Sequence, residues 1–201
     1  MKNPLDWDVF LIGGHSTVGK STVARELGCR LCVPVIQADD CRLLLQRATQ
    51  PGQIAGLHFF LQSEAVKQAE PEARISHLLR IGEIMSDALE AVIAHHVLTK
   101  TPVIIEGDGI LPKLAMQASC DGIDVRGRVR AVFIIESNAE QFAAIREMRW
   151  PGAAEDPDSS MWQQLAWSYG QIIAREASAF NLPVIDAWPL ASLAERVRAF
   201  V

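Results

Sequence analysis

Positive charge is in short supply in this chain. Its 19 lysines and arginines are outnumbered by 24 aspartates and glutamates, for a formal net charge of −5 over 201 residues. A surface that binds nucleic acid or an anionic membrane needs a cationic excess, so neither partner is expected. A small anionic ligand held by a few local arginines is still compatible with the balance. No apolar run approaches the ~20 residues of a membrane-spanning helix. In the opening stretch MKNPLDWDVF, Asp6 and Asp8 interrupt what would be the apolar centre of a signal peptide. A cytoplasmic protein is expected. Cysteine is scarce as well, and of the four only Cys29 and Cys32 form a C-x-x-C. With no second pair to complete a zinc site, both are expected to pack as small apolar residues where the first helix meets the second strand.

With 49% hydrophobic residues and no internal repeat, the chain suits one domain, residues 1–201, with a small lid. Short apolar runs alternate with helical patterns, the mark of a parallel sheet covered by helices. The runs are DVFLIGG (Asp8 to Gly14), VPVIQAD (Val33 to Asp39), TPVIIEGDG (Thr101 to Gly109), RVRAVFIIES (Arg128 to Ser137) and LPVIDAW (Leu182 to Trp188). Their continuous apolar character, with β-branched residues, suits strands buried on both faces. Between them, helices are expected from the Gly-Lys-Ser-Thr turn to Arg30, over DDCRLLLQRA, and from Ile75 to His95. Further helices are expected around IAGLHFFLQSEAVKQ, over NAEQFAAIREMR with Asn138 as N-cap, from Met161 to Phe180, and from Leu190 to Phe200. The stretch WPGAAEDPDSS breaks the pattern with prolines and glycine. It is expected to be an exposed connection, part of a lid at about residues 146–160.

The first strand runs into Gly14-x-x-x-x-Gly19-Lys20-Ser21, a complete phosphate-loop pattern with a strand before it and a helix starting inside it. Glycines let consecutive backbone N–H groups turn toward one anion, and the helix N-terminus adds its partial positive charge. The loop residues Gly14, His15, Ser16, Thr17, Val18, Gly19, Lys20, Ser21 and Thr22 are therefore expected to cradle the phosphates of ATP. Lys20 would reach the outer phosphates and Ser21 would bind Mg²⁺. His15 is expected to be a variable loop position.

Three further groups follow in order. Asp39, Asp40 and Arg42 sit at the end of strand two, the edge where ligands bind in a parallel sheet. Asp39 could accept a proton or hold a hydrated cation, and Arg42 suits an anionic substrate group. Glu106 and Asp108 emerge after strand three, where a carboxylate can support Mg²⁺ or act as base, leaving Asp39 and Glu106 both open as the base. Arg146 and Arg149 lie three residues apart, directly before the Pro-Gly break, placed to neutralise a transferring phosphoryl group. Arg74 and Arg80 are possible substrate contacts, and Trp188 and Pro189 lie where a purine could rest. A nucleotide switch is disfavoured: there is no N-K-x-D, and the only D-x-x-G candidate, Asp124 to Gly127, precedes strand four.

The ordered set resembles the P-loop small-molecule kinases, whose fold is shared by nucleoside monophosphate, shikimate and gluconate kinases. Within that group, GGHSTVGKST, ADDCRLLLQ and VIIEGDGILP are most similar to 2-phosphoglycerate kinase-type sequences. The D-x-x-R element also resembles polynucleotide kinases and chloramphenicol phosphotransferases. The resemblance implies an α/β three-layer P-loop NTPase fold: a five-stranded parallel sheet in the order 2-3-1-4-5, helices on both faces and a short lid. It also implies ATP and Mg²⁺ as cofactors and transfer of the γ-phosphoryl group to a hydroxyl of a small, anionic metabolite such as 2-phosphoglycerate. Asp39 would be the base, Arg42 and Asp108 would contact substrate, and Ser21 and Glu106 would hold Mg²⁺. Two alternatives stay open: a non-catalytic ATP-binding protein, and a kinase of antibiotic, nucleoside or polynucleotide hydroxyls. The choice between ATP and GTP, and between monomer and homodimer, is open as well.

Overall fold

The computed structural model describes residues 5–152, 155 and 158–201. Five parallel strands form the sheet: β1 (Val9–Gly13), β2 (Val35–Gln37), β3 (Val103–Glu106), β6 (Val129–Ile135) and β7 (Val184–Asp186), in the order β2-β3-β1-β6-β7. This is the expected order. The strand numbers differ only because an antiparallel hairpin, β4 (Ser119–Cys120) and β5 (Ile123–Asp124), comes between β3 and β6. Its turn residues Asp121 and Gly122 both have positive φ, 45° and 77°. Asp-Gly is the dipeptide such a two-residue turn favours, so this hairpin had a signal in the sequence.

The sheet is buried on both faces, and side chains alternate between two cores as strand geometry requires. Val9 and Leu11 of β1, Val103 and Ile105 of β3, and Ala131 and Phe133 of β6 enter one core. Phe10, Ile12, Ile104, Val132 and Ile134 enter the other. The first core is covered by α4 (Pro71–Thr99) through Ile81, Met85, Leu89 and Ile93, and by α7 (Ser159–Ala179) through Tyr169, Ile173 and Ala177. The second is covered by α1 (Lys20–Leu31) and by α8 (Leu193–Arg198), whose Leu193, Ala194 and Val197 complete it. The remaining helices are α2 (Ala38–Ala48), α3 (Ser63–Gln68), α5 (Pro112–Ala115) and α6 (Ala139–Arg149). Asn138 caps α6 as expected: its side-chain oxygen accepts from the N–H groups of Glu140 and Gln141 at 2.9 and 3.0 Å.

Three expectations change. No single helix spans IAGLHFFLQSEAVKQ, because Gly56 takes a left-handed φ of 93°; Phe59–Leu61 form a 3₁₀ turn and only Ser63–Gln68 is α-helical. Cys29 and Cys32 are exposed thiols, not packed ones. Cys32 occupies the left-handed cap position that ends α1, and Cys29 lies on the exposed side of that helix. The final helix begins as a 3₁₀ turn, Leu190–Ser192, before α8. Of the expected lid, residues 153–154 and 156–157 lie outside the described residues. Among the described residues, no helix is long and apolar enough to cross a membrane.

Candidate active site

Strand register assembles the site. Ile12 of β1 and Gln37 of β2 both pair with Glu106 of β3, so the three strands end level. The phosphate loop, the start of α2 and the β3–α5 loop therefore share one sheet edge. The loop must bend tightly there. Gly14 has a φ of 125°, and a Cβ on it would lie 1.8 Å from the Ile134 carbonyl oxygen of β6. The loop backbone thus rides directly over the neighbouring strand. Gly19, at φ 91°, is the N-cap of α1.

His15 is not the variable position its place in the loop suggested. Its ring is fully buried. The Glu136 backbone N–H donates to Nε2 at 3.1 Å, which leaves the proton on Nδ1 to donate to the Ser16 carbonyl at 3.1 Å. Phe142 packs edge-on at 4.8 Å, and a Cβ at Gly170 of α7 would sit 2.2 Å from the ring. Burial first, and the charge of Lys20 second, push its pKa down to about 3. A neutral imidazole thereby ties the loop to β6, α6 and α7. Val18 is also core-facing. At these two positions the loop can offer a phosphate only backbone groups.

Two cavities open at the sheet edge. The smaller, about 260 Å³, is lined by Ser16, Thr17, Gly19, Lys20, Ser21 and Thr22 of the loop, together with Asp39, Glu106, Asp108 and Arg149. Arg25, Gln37 and Trp150 join them. Arg25 lies on α1 just past the phosphate-loop motif and was not singled out by it. The larger cavity, about 690 Å³, adjoins it. Its lining shares Ser16, Asp39, Asp108 and Trp150 with the smaller one and adds Arg42 and Arg146. The rest of its wall is mostly apolar: Phe60, Leu78, Ile81, Trp162, Leu165 and Tyr169. Trp162, Leu165 and Tyr169 follow a three-, four-residue rhythm on α7, a helical stripe legible in the sequence as core-facing. Phe60 belongs to the segment expected to be helical and lies instead in the 3₁₀ turn Phe59–Leu61. Its ring lies 6.0 Å from that of Trp162.

The charges are arranged in pairs. Lys20 is nearly buried; it donates to the His15 carbonyl at 2.7 Å and forms a close ion pair with Asp108. The backbone carbonyl of Asp108 accepts from the Tyr169 hydroxyl at 2.6 Å, which fixes the loop that presents its carboxylate. Arg42 donates to Asp39 Oδ1 from Nε and Nη2 at 3.3 and 3.1 Å. Glu106 is almost wholly buried. Desolvation raises its pKa, against the hydrogen bond from Ser21 and the charge of Lys20; Asp39 and Asp108 push it further up.

The two arginines of the expected lid divide. Both guanidiniums stand over Trp150, at 5.4 Å for Arg146 and 5.1 Å for Arg149. Arg149 is exposed and lines the small cavity; Arg146 is 6% exposed and lines the large one. The Nη2 of Arg146 donates to Ser159 Oγ at 3.3 Å, while its buried Nε has no partner. Burial lowers its pKa.

Ser21 and Glu106 offer one hydroxyl and one carboxylate. Among the described residues no group of three or more His, Cys, Asp or Glu side chains could hold a metal. So sparse a donor set fits Mg²⁺, which keeps several waters and takes phosphate oxygens as ligands. Other expected contacts lie elsewhere. Arg74 donates to the Val66 carbonyl at 2.8 Å and Arg80 pairs with Glu83, while neither cavity's described lining includes Trp188 or Pro189.

No protein-family model matches the chain. Among solved structures, a shikimate kinase from Acinetobacter baumannii in complex with shikimate superimposes with a TM-score of 0.51 at 15% identity, over 96% of this chain and 91% of that one. A gluconokinase from Sinorhizobium meliloti gives 0.50 at 18% identity, over 98% and 92%. The chain has the P-loop small-molecule kinase fold. Within that fold, sequence similarity extends to a curated 2-phosphoglycerate kinase of Methanococcus maripaludis, 33% identical over 193 residues, 89% of this chain and 59% of that protein. A 2-phosphoglycerate kinase of Methanocaldococcus jannaschii is 32% identical over 109 residues, 53% of this chain and 35% of that protein. The chain thus spans between about a third and three fifths of the length of these curated relatives.

Proposed function

We propose that the chain is an ATP-dependent kinase that transfers a γ-phosphoryl group to a hydroxyl of a small metabolite. One observation carries this reading: the phosphate-loop cavity and the larger cavity meet at Asp39 and Asp108, which line both. A site with one phosphate cradle and a second, adjoining chamber suits two substrates reacting at their boundary. The names of the relatives, 2-phosphoglycerate, shikimate and gluconate kinases, support the same reaction class.

The roles follow from position. Ser16 to Thr22 hold the nucleotide phosphates through backbone N–H groups, and Lys20 leaves Asp108 to contact the outer phosphates. Arg149 adds charge on the same side as the transferring group. Asp39 at the boundary takes the proton of the acceptor hydroxyl as its oxygen attacks phosphorus. Arg42, already bound to Asp39, orients that carboxylate. Glu106 borders only the phosphate cavity, so it and Ser21 hold Mg²⁺ there and Glu106 is not the base. When bound, Mg²⁺ neutralises charge on the phosphate oxygens. Arg146 serves the acceptor. Residues 146–160 act as a lid whose closure excludes water.

An ADP-release assay over hydroxy acids, sugars and nucleosides, with 2-phosphoglycerate included, tests the proposal. Acceptor-dependent ADP formation that disappears in Lys20→Ala is the expected result. Turnover unchanged in Lys20→Ala would sink it.

A further inference from the structure

Within the kinase reading, on which this inference rests, we propose that the acceptor carries an apolar ring and a single anionic group, unlike a compact polyanion such as 2-phosphoglycerate. Size is the first ground. The acceptor cavity, about 690 Å³, lies within the ~300–1,000 Å³ range that encloses drug-sized ligands. A three-carbon acid phosphate would leave most of it filled with water against apolar walls.

Chemistry is the second. Phe60, Leu78, Ile81, Trp162, Leu165 and Tyr169 supply a largely apolar lining. Phe60 and Trp162 come from different elements and lie tilted at 48° with centroids 6.0 Å apart. Trp162 stays 39% exposed. An aromatic surface left in contact with solvent inside a cavity gains most from an apolar ligand.

Charge is the third ground. Four ionised groups line the cavity: Asp39, Asp108, Arg42 and Arg146. Asp39 neutralises Arg42, and Asp108, which pairs with Lys20 in this structure and gives it up when the nucleotide binds, adds no positive charge. Arg146 remains. It is buried, no carboxylate among the described residues pairs with it, and its Nε has no hydrogen-bond partner. Among the described residues this buried guanidinium has the Phe142 and Trp150 rings beside it but no counter-ion; that is costly, and one anionic group on the ligand would relieve it. A carboxylate together with a phosphate dianion would exceed what this one cation can match.

The test is calorimetric titration of the full chain, with a non-hydrolysable ATP analogue and Mg²⁺ present. The probes are 3-phenyllactate, which has a ring, a hydroxyl and one carboxylate; 3-phenylpropane-1,2-diol, which lacks the anion; glycerate, which lacks the ring; and 2-phosphoglycerate. Phenyllactate should bind about tenfold or more tightly than glycerate, the scale of a buried ring, and more tightly than 2-phosphoglycerate. Trp162→Ala should abolish the preference for the ring. Arg146→Met should weaken phenyllactate binding and leave the diol unchanged. Unchanged binding of the ATP analogue certifies that each variant is folded. The proposal is overturned if 2-phosphoglycerate binds more tightly than phenyllactate, if phenyllactate fails to bind at millimolar concentration, or if Trp162→Ala has no effect. The kinase reading fails separately. Ring-dependent binding with no ADP release for any acceptor would remove the kinase and keep the ring site; ADP release with 2-phosphoglycerate alone would do the reverse.

Discussion

The two halves of the site are built differently. The phosphate-loop cavity draws six of its lining residues from one stretch, Ser16 to Thr22, and is mostly polar. The larger cavity draws its wall from α2, the Phe59–Leu61 turn, α4, the β3–α5 loop, the end of α6 and α7, and is mostly apolar. A phosphate is the same in every nucleotide, so a short loop of backbone donors can hold it with little help from distant residues. An acceptor is particular to its enzyme. Its chamber must be shaped by side chains from many elements, and variation in those elements alters it without disturbing the loop.

The division predicts separable losses. Lys20→Ala should lower turnover most, by about 10²-fold or more, as expected for a group that neutralises transition-state charge. Acceptor-probe binding in the absence of nucleotide should be preserved; a parallel loss would mean the halves are not independent. Asp39→Asn should follow, with phosphoryl transfer falling ~10²-fold, the scale of a lost general base, and nucleotide affinity nearly intact. Glu106→Gln should instead raise the Mg²⁺ concentration needed for activity. Because burial raises the Glu106 pKa, lowering the pH protonates it early. Mg²⁺ affinity should therefore weaken at a pH above the ordinary glutamate range, and Glu106→Gln should remove that dependence. If Glu106→Gln costs more turnover than Asp39→Asn at saturating Mg²⁺, their roles are exchanged.

The arginines sharpen the boundary. Arg146→Met should raise the acceptor KM by ~10-fold, the worth of a charged hydrogen bond, with the ATP KM unchanged. Arg149→Met should leave the acceptor KM unchanged and act on the nucleotide side. Equal effects of the two on both substrates would erase the division drawn at Trp150. The smallest effect concerns stability. His15 stays neutral in the folded chain, with a pKa near 3, whereas the unfolded chain protonates it around its ordinary 6.5. Its contribution to stability is complete above pH 6.5 and is lost as pH falls from there toward 3. His15→Gln, which cannot protonate there, should lose less stability across that window, as read from chemical unfolding at several pH values. Gly170→Ala, which places a methyl against the ring, should cost about 1–3 kcal/mol by overpacking.

Much of this architecture could be anticipated. β1, most of β3 and, past Arg130, β6 run as apolar stretches because both faces are buried, so their existence was plain and only their ends were overestimated. Asn138 was a readable cap. The segment around Phe60 was not, because a left-handed Gly56 breaks the helical rhythm on either side of it. His15 was misjudged for a different reason. Its loop motif leaves that position unspecified, and what buries the ring is Phe142 and Gly170, more than 120 residues away in the chain.

The amino-acid sequence by itself determined the strand–loop–helix of the phosphate-loop pattern, the alternation that yields a parallel sheet, and the residues brought to one of its edges. These depend on neighbours within a few positions, where backbone sterics and side-chain periodicity act. Only the tertiary structure decided that Lys20 rests on Asp108, that Arg146 and Arg149 face different cavities, and that the larger cavity is walled by Phe60 and Trp162. Each of these is a meeting of groups set by packing across the fold, and no local pattern records which distant side chain will arrive.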